Sequence, residues 1–118
     1  MTLQRTLRPL LTLEGLRMVL VLTRDGLPIE MLGHGLRAEV LAAEVAAVAE
    51  AARNCYRTLG LGMPRHHRVT LEEHEVVTVA LENHYLALVL GIPSSPEVLP
   101  FLYQNTLQPL EVALGGRS

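Results

Sequence analysis

Residues 33–38 (GHGLRA) form the segment whose residue types and spacing most suggest chemistry. Gly33 to Ala38 follow an apolar run, open a helical pattern and fit G-x-G-x-x-A, a fingerprint of turns that hold a pyrophosphate at a helix N-terminus. That fingerprint also requires a central parallel strand and an acidic residue about 20 residues later. Pro28 instead predicts an edge strand, and the helical pattern still continues at that distance. We favour a simple connection, with a nucleotide or other small-ligand module as the alternative.

Five histidines raise the question of a metal site. His66 and His67 are adjacent in an extended pattern, so their side chains point to opposite faces of a sheet and cannot share an ion. If Leu71 pairs with Val76, His66 lies near the turn that holds His84, whereas His74 lies at the opposite end of the strands. His66 and His84 alone are two ligands, which is too few for a closed zinc site. We expect no metal and no cofactor, and interpret all five as solvated or edge-strand residues: His34, His66, His67, His74 and His84.

Three further features could be mistaken for catalytic groups. Cys55 falls on the apolar stripe of a helical pattern, where cysteine usually acts as a small core residue. Asp25, the single aspartate, precedes Gly26 between two apolar runs, which is a strong hairpin signal. No nucleophile lies beside a base, so we expect a protein that is not an enzyme. The remaining acidic cluster is interpreted as a solvated hairpin tip: Glu72, Glu73 and Glu75.

Composition restricts the class of protein. The chain has 118 residues, 49% of them hydrophobic, which is enough for one domain with its own core, residues 1–118. A net charge of −2 argues against nucleic acid as a main partner. The single cysteine excludes an internal disulfide and fits a reducing compartment. Neither a signal peptide nor a membrane-spanning run is present, so a cytoplasmic location is expected.

Periodicity predicts the elements that must position these residues. Helix formers and a long apolar stripe predict a helix over 36–59, with Leu41, Val48, Cys55 and Leu59 on its buried side. Shorter helices are predicted at both termini, the last one bending at its prolines. The predicted elements are helix 3–13, strands 17–23 and 27–32, helix 36–59, strands 66–72, 75–81 and 85–91, and helix 96–114.

Burial patterns predict the order of the five strands. The runs 18–22, 76–81 and 85–90 are apolar on both faces, as in strands covered on two sides. Pro28 marks the second strand as an edge, and the alternating run 66–72 marks the third. A hairpin and a three-strand meander then share one antiparallel-type sheet only in the order 2-1-5-4-3. The expected fold is an α/β sandwich, with the long helix on one face and the terminal helices on the other.

This order of elements resembles the roadblock / dynein-light-chain domain family. The local signals are VLVLTRDGLPIE in the hairpin, LAAEVAAVAEAARNCYRTLGLG in the long helix and VVTVALENHYLALVL in the meander, and the resemblance covers residues 3–114. It implies a homodimer whose third strands pair across a two-fold axis and whose long helices lie side by side. It also implies binding to a small Ras-like GTPase, as in bacterial gliding-motility regulators, which rearrange the GTPase's own residues and supply no arginine finger. A passive scaffold in a larger complex is the alternative.

The residues independently favour a dimer. The edge run 66–72 has no proline, so its unpaired backbone amides and carbonyls are free to pair with a strand of a second chain. Small residues of the long helix extend its apolar stripe sideways, and Arg37 and Glu44 border it at an expected subunit boundary. The expected dimer interface comprises His67, Arg68, Val69, Thr70, Leu71, Ala42, Ala46 and Ala49. The resemblance places a GTPase on the paired long helices, which assigns partner binding to their polar face: Glu39, Glu50, Arg53 and Arg57.

Overall fold

Apolar runs separated by glycine-containing or acidic turns build one antiparallel sheet between two helical layers. The computed structural model describes residues 2–115. Its elements are α1 (Leu3–Leu7) with a 3-10 turn (Arg8–Thr12), β1 (Leu16–Thr23), β2 (Pro28–Gly33), α2 (Ala38–Thr58), β3 (His66–Thr70), β4 (His74–Ala80), β5 (His84–Gly91), α3 (Val98–Phe101), a π-helical turn (Leu102–Thr106) and α4 (Leu107–Gly115).

The sheet has the strand order β2-β1-β5-β4-β3, which confirms the predicted topology. β1 and β5 lie at its centre and are buried along most of their length, whereas β2 and β3 form the edges. The predicted pairing of Leu71 with Val76 is wrong, because Val69 pairs with Val76. Leu71 already belongs to the turn, where its amide donates to the carbonyl of His74. A shift of two residues leaves each side chain on its predicted face.

Each face of the sheet has its own core. Alternate residues of β1 and β5, such as Leu20 and Ala87, pack under α2. The intervening residues, such as Val21 and Leu88, pack against α1, the 3-10 turn, α3, the π-helical turn and α4. The strict alternation in the central strands therefore produces the predicted arrangement of helix, sheet and helices.

Prolines shape both terminal helical segments. The first α-helix ends at Leu7, and Pro9 lies within the 3-10 turn that follows. Near the C-terminus the chain stays helical from Val98 to Gly115, as two α-helices joined by a π-helical turn. A π-helical turn precedes Pro109 and accommodates the ring and the missing N–H.

The turn between β1 and β2 confirms the structural interpretation of Asp25. The Thr23 hydroxyl donates to the Asp25 carboxylate, and the Leu27 amide donates to the same hydroxyl over 2.9 Å. Gly26 has a φ of +95°, a conformation that L side chains disfavour. A Cβ atom there would lie 3.3 Å from the Cα of Ala43 and from the Cβ of Ala46, so this turn lies against α2.

The substitution Gly26→Ala is expected to lower the free energy of unfolding by about 1–2 kcal/mol, because the left-handed conformation costs roughly that much for an L residue. Urea denaturation measures the change. Gly115→Ala is the matched control, since its Cβ would meet nothing within 4 Å, and it should cause no loss. Equal losses in the two variants would contradict the role of the turn.

Candidate interaction surface

The outer edge of β3 carries unpaired backbone groups. The Ala80 amide donates to the carbonyl of Arg65, and the Leu71 amide donates to that of His74. Antiparallel strands alternate between hydrogen-bonded and open pairs. The odd-numbered residues of β3 therefore direct their amides and carbonyls toward β4. The even-numbered residues direct theirs outward, away from the sheet. Within residues 2–115, no strand pairs with this edge. It can accept another strand.

The side chains of Arg68 and Thr70, which share one face of β3, form hydrogen bonds within the chain. The Glu75 carboxylate is buried and accepts hydrogen bonds from Arg68 (2.8 Å), Thr70 (3.0 Å) and Ser94 (2.7 Å). Arg68 also donates to the carbonyl of Ser95 over 3.2 Å. The hydrogen bond from Arg68, supported by those from Ser94 and Thr70 and by the charge of Arg68, lowers the pKa of Glu75 to about 2. Glu75 is thus not the solvated tip residue expected, although Glu72 and Glu73 are exposed.

This cluster changes what Arg68 and Thr70 can offer a second chain. Both side chains are engaged with Glu75, so only their outward backbone groups remain for strand pairing. Val69 faces the other way and stays 43% exposed, and Leu71 is 52% exposed in the turn. Val69 in β3 and Leu71 in the turn are therefore the exposed apolar side chains at this end of the edge, and His67, on the same face as Val69, is half-buried.

The buried face of α2 differs from the predicted one by a rotation of roughly 70° at 100° per residue. Ala42, Ala46 and Ala49 lie under the helix, at most 7% exposed, and pack on the sheet of their own chain. Small side chains let the helix lie close to the sheet, and this use leaves them little surface for a second helix. The expectation that they extend the stripe sideways is wrong.

Leu41 is buried as predicted, whereas the other residues named on the predicted buried side are exposed. Val48 is 55% exposed and Leu59 is 62% exposed, and Cys55 is an exposed free thiol. The C-terminal turns of α2 after Ala49 contain no buried residue. Local periodicity could not locate the sheet relative to the helix.

One exposed apolar side chain of α2 lies on the flank away from the first hairpin. The flank that carries Ala43 lies against the β1–β2 turn. Val48 lies about 140° from Ala43 at 100° per residue and therefore on the opposite flank, whereas Val40 lies on the side away from the sheet. Next to the flank of Val48 is an apolar groove of about 470 Å³, whose lining includes Leu36, Leu41, Leu71, Val76 and Val89. The groove joins α2 to the open edge.

The four residues assigned to partner binding share one flank of α2, about 80° from the centre of its buried face at 100° per residue. Glu39, Glu50 and Arg57 are exposed, whereas Arg53 is half-buried. A guanidinium nitrogen of Arg53 lies 3.6 Å from a carboxylate oxygen of Glu50, and Arg57 donates to the side chain of Asn54. The face is polar and carries both signs of charge. Arg37 and Glu44 are also exposed, near the groove and on its flank.

The histidines are dispersed, as the sequence predicts. The Nδ1 atom of His66 lies 2.8 Å from the hydroxyl of Tyr103, whereas His67 lies on the α2 side of the sheet. Burial, and secondarily the nearby charge of His66, lower the pKa of His67. Within residues 2–115, no three His, Cys, Asp or Glu side chains are close enough to hold a metal ion together.

The segment 33–38 does not have the geometry of a dinucleotide-binding turn. β2 is an edge strand that pairs antiparallel with β1, whereas the fingerprint needs a central parallel strand. Gly33 has a φ of +86°, and a Cβ there would lie 2.0 Å from the carbonyl oxygen of Arg17. Close packing of the chain against β1 explains this glycine.

Arg24 has a structural role that the sequence pattern does not reveal. Its guanidinium lies over the ring of Tyr85, 4.6 Å from the centroid, and donates to the carbonyl of Leu81. These contacts span about 60 residues of sequence, so no local periodicity indicates them. Through these contacts the arginine connects the first hairpin with the β4–β5 turn.

Similarity to other proteins agrees with this fold. The family model described as the Roadblock/LC7 domain matches residues 2–91. No curated protein gives a significant match. Among solved structures, a Roadblock/LC7 domain from Streptomyces avermitilis is 20% identical, with 99% of this chain and 98% of that chain covered and a TM-score of 0.79. The gliding protein MglB from Thermus thermophilus is 20% identical, with coverages of 94% and 84% and a TM-score of 0.77. MglB from Myxococcus xanthus is 11% identical, with coverages of 95% and 90% and a TM-score of 0.80. The chain belongs to the Roadblock/LC7 domain family.

Proposed function

We propose that the protein is a non-enzymatic, homodimeric regulator that binds a small Ras-like GTPase and modulates its GTP hydrolysis or its localisation. The observation that carries the proposal is the open β3 edge beside an apolar groove, in a chain of the Roadblock/LC7 family. The structural likeness to MglB proteins supports the choice of a GTPase as partner. None of the helices in residues 2–115 combines the length and apolar character needed to cross a membrane. We place the protein in the cytoplasm.

In the proposed dimer, β3 pairs with β3 of a second copy. The outward amides and carbonyls of His66, Arg68 and Thr70 supply the strand pairing, and Val69 and Leu71 are covered by the second copy. The contribution of α2 comes from Val48 and neighbouring residues of that flank, in place of the buried alanines. Such an interface covers both the unpaired edge and the apolar groove, which a solitary chain leaves exposed to water.

The GTPase is proposed to bind the polar flank of α2 that carries the four assigned residues. Pairing of two long helices presents Glu39, Glu50, Arg53 and Arg57 twice, on one platform. Mixed charges of this kind set the orientation and rate of association more than the affinity itself. The chain is proposed to act by positioning groups of the GTPase, as the resemblance to gliding-motility regulators implies.

Charge reversal by Arg57→Glu is expected to weaken GTPase binding at least tenfold, a change of about 1.4 kcal/mol. The assay compares a Ras-like GTPase encoded in the same genome, with and without this chain, by isothermal calorimetry and by GTP turnover. Arg8→Glu is the control, since Arg8 is exposed on the opposite helical layer. Equal weakening by the two variants would contradict a platform on α2.

Turnover distinguishes the two forms of the proposal. Faster hydrolysis with the wild-type chain supports a regulator of the nucleotide cycle. Binding with unchanged hydrolysis supports a passive scaffold. Absence of binding to every Ras-like GTPase of that genome would overturn both. A nucleotide-binding role for residues 33–38 is not favoured by any observed geometry.

A further inference from the structure

A small cavity lies between the C-terminal half of α2 and the sheet. It has a volume of about 90 Å³ and is bordered by side chains from α2, the β1–β2 turn, β4, β5 and the segment that enters β3. Among the described residues, none of those that line it is Asp or Glu. The polar residues in the lining include Arg24, Arg53, Arg65, His67, Thr78 and Tyr85.

The cationic residues of this cavity are incompletely neutralised. Arg24 contacts the ring and hydroxyl of Tyr85 and the carbonyls of Leu81 and Glu82, and none of its described partners is a carboxylate. Arg53 has one acidic neighbour, Glu50, at 3.6 Å, and that glutamate lies outside the cavity lining. The lining therefore holds an excess of positive charge in a chain whose net charge is −2.

Two nitrogen atoms of the lining residues are buried without a hydrogen-bond partner. They are Nε of Arg24 and Nε2 of His67, and they are the buried side-chain polar atoms left unpartnered within residues 2–115. Buried polar groups are nearly always satisfied, and an unsatisfied one often indicates a missing ion or water. Nε of Arg24 always carries a hydrogen, and Nε2 of His67 carries one in one neutral tautomer and in the protonated ring, so in those states a group that accepts hydrogen bonds satisfies both nitrogens.

The size of the cavity restricts the ligand. A volume of about 90 Å³ exceeds the roughly 10–15 Å³ that one water requires. It is well below the roughly 300–1,000 Å³ of pockets that hold drug-sized ligands. A nucleotide does not fit, whereas a group with a few oxygen atoms does.

We propose that this cavity binds a small oxyanion, a phosphate or carboxylate group, through Arg53 and His67, with Arg24 supplying further positive charge. The oxyanion comes either from free phosphate or from an acidic side chain of a bound protein. This proposal does not rest on the proposed GTPase role, although Arg53 belongs both to the cavity lining and to the residues assigned to partner binding.

Titration of the full chain with inorganic phosphate, at constant ionic strength set by chloride, tests the proposal. Phosphate is expected to raise the thermal midpoint and to perturb the ring resonances of His67 in NMR spectra. Arg53→Gln should weaken phosphate binding at least tenfold, whereas Arg8→Gln, on the opposite helical layer and outside the lining, should leave it unchanged. Equal binding by the two variants, or no response of the wild-type chain to phosphate, would overturn the proposal.

The pH dependence gives a second readout. His67 faces Arg24 from the hairpin turn, Arg53 from α2, Arg65 from the preceding segment and Tyr85 from β5, and it is adjacent to His66 in β3. A bound anion opposes the burial and charge effects that lower the pKa of His67, so phosphate should raise that pKa. Binding of sulfate, an oxyanion whose charge does not change in this range, should strengthen as pH falls from 8 to 6, and His67→Gln should remove this dependence. A pKa of His67 that phosphate does not change would count against direct contact.

A parallel titration with acetate identifies the source of the oxyanion. Stabilisation by acetate as well as phosphate supports an acidic side chain as the natural ligand. Stabilisation by phosphate alone supports a phosphoryl group. Because these titrations use the chain by itself, their failure would leave the proposed GTPase role intact, and failure of GTPase binding would leave this site intact.

Discussion

Replacing Arg68 by leucine is expected to lower the free energy of unfolding by about 3 kcal/mol, because removal of one member of a buried ion pair leaves an uncompensated charge. Glu75 is 7% exposed, and Arg68 is its cationic partner at 2.8 Å. The hydroxyls of Thr70 and Ser94 remain, but they carry no charge. Urea denaturation followed by circular dichroism measures the loss.

The double variant Arg68→Leu with Glu75→Leu is the discriminating control. Replacing both members of a buried pair with apolar groups is often neutral or stabilising. The double variant is therefore expected to recover most of the stability lost in the single variant. If the single substitution costs no more than the exposed Arg37→Leu, the pair does not hold β3 in place.

The same pair makes stability depend on pH in a defined window. Folding lowers the pKa of Glu75 from 4.5 to about 2, so the native state favours the ionised carboxylate. Its contribution is complete above about pH 4.5 and is lost as the pH falls toward 2, because protons then bind the unfolded chain first. Denaturation midpoints measured between pH 7 and 3 should fall less steeply in Glu75→Gln than in the wild-type chain. Parallel profiles would exclude Glu75 as a cause.

The second large effect is expected at the open edge, where Val69→Glu should raise the dissociation constant of the proposed homodimer at least 100-fold, or about 2.7 kcal/mol. Val69 is 43% exposed in the single chain, and strand pairing with a second copy would cover it. An unpaired carboxylate in such an interface must either stay desolvated or force the strands apart. Sedimentation velocity over a range of concentrations measures the constant.

The matched control for Val69→Glu is Val112→Glu. Val112 lies on α4 and is 73% exposed, on the other helical layer. Surface substitutions of this kind change stability by about 0.5 kcal/mol or less, so both variants should remain folded. A dimer that survives Val69→Glu unchanged, or a wild-type chain that is monomeric at micromolar concentration, would contradict the proposed assembly.

Most of the fold could be predicted from local patterns. Alternating and fully apolar runs distinguish edge strands from central ones, because burial on one or both faces dictates the residue types along a strand. Asp25-Gly26 identifies the first hairpin, and Pro28 identifies its outer strand. With both edges known, the connections permit one strand order.

The candidate site could be predicted less completely, because it depends on how the helices and strands pack against one another. The α2 pattern contains apolar residues over a wide arc, so periodicity alone could not choose between Val48 and Ala49 as the buried side. The burial of Glu75 depends on Arg68 across the β3–β4 hairpin and on Ser94, which arrives from another part of the chain. Acidic residues near a turn normally remain in water, so their sequence pattern favoured the wrong answer for Glu75.

The sequence by itself determined the elements, their order in the sheet and the resemblance to the roadblock family, since these follow from short-range burial patterns and turn chemistry. Only the tertiary structure decided which side of α2 is covered, how Glu75 is neutralised and where Arg24, Arg53 and His67 surround a cavity. Those features arise from contacts between residues far apart in sequence. Their energies depend on distance and exclusion of water, which no local pattern of residue types encodes.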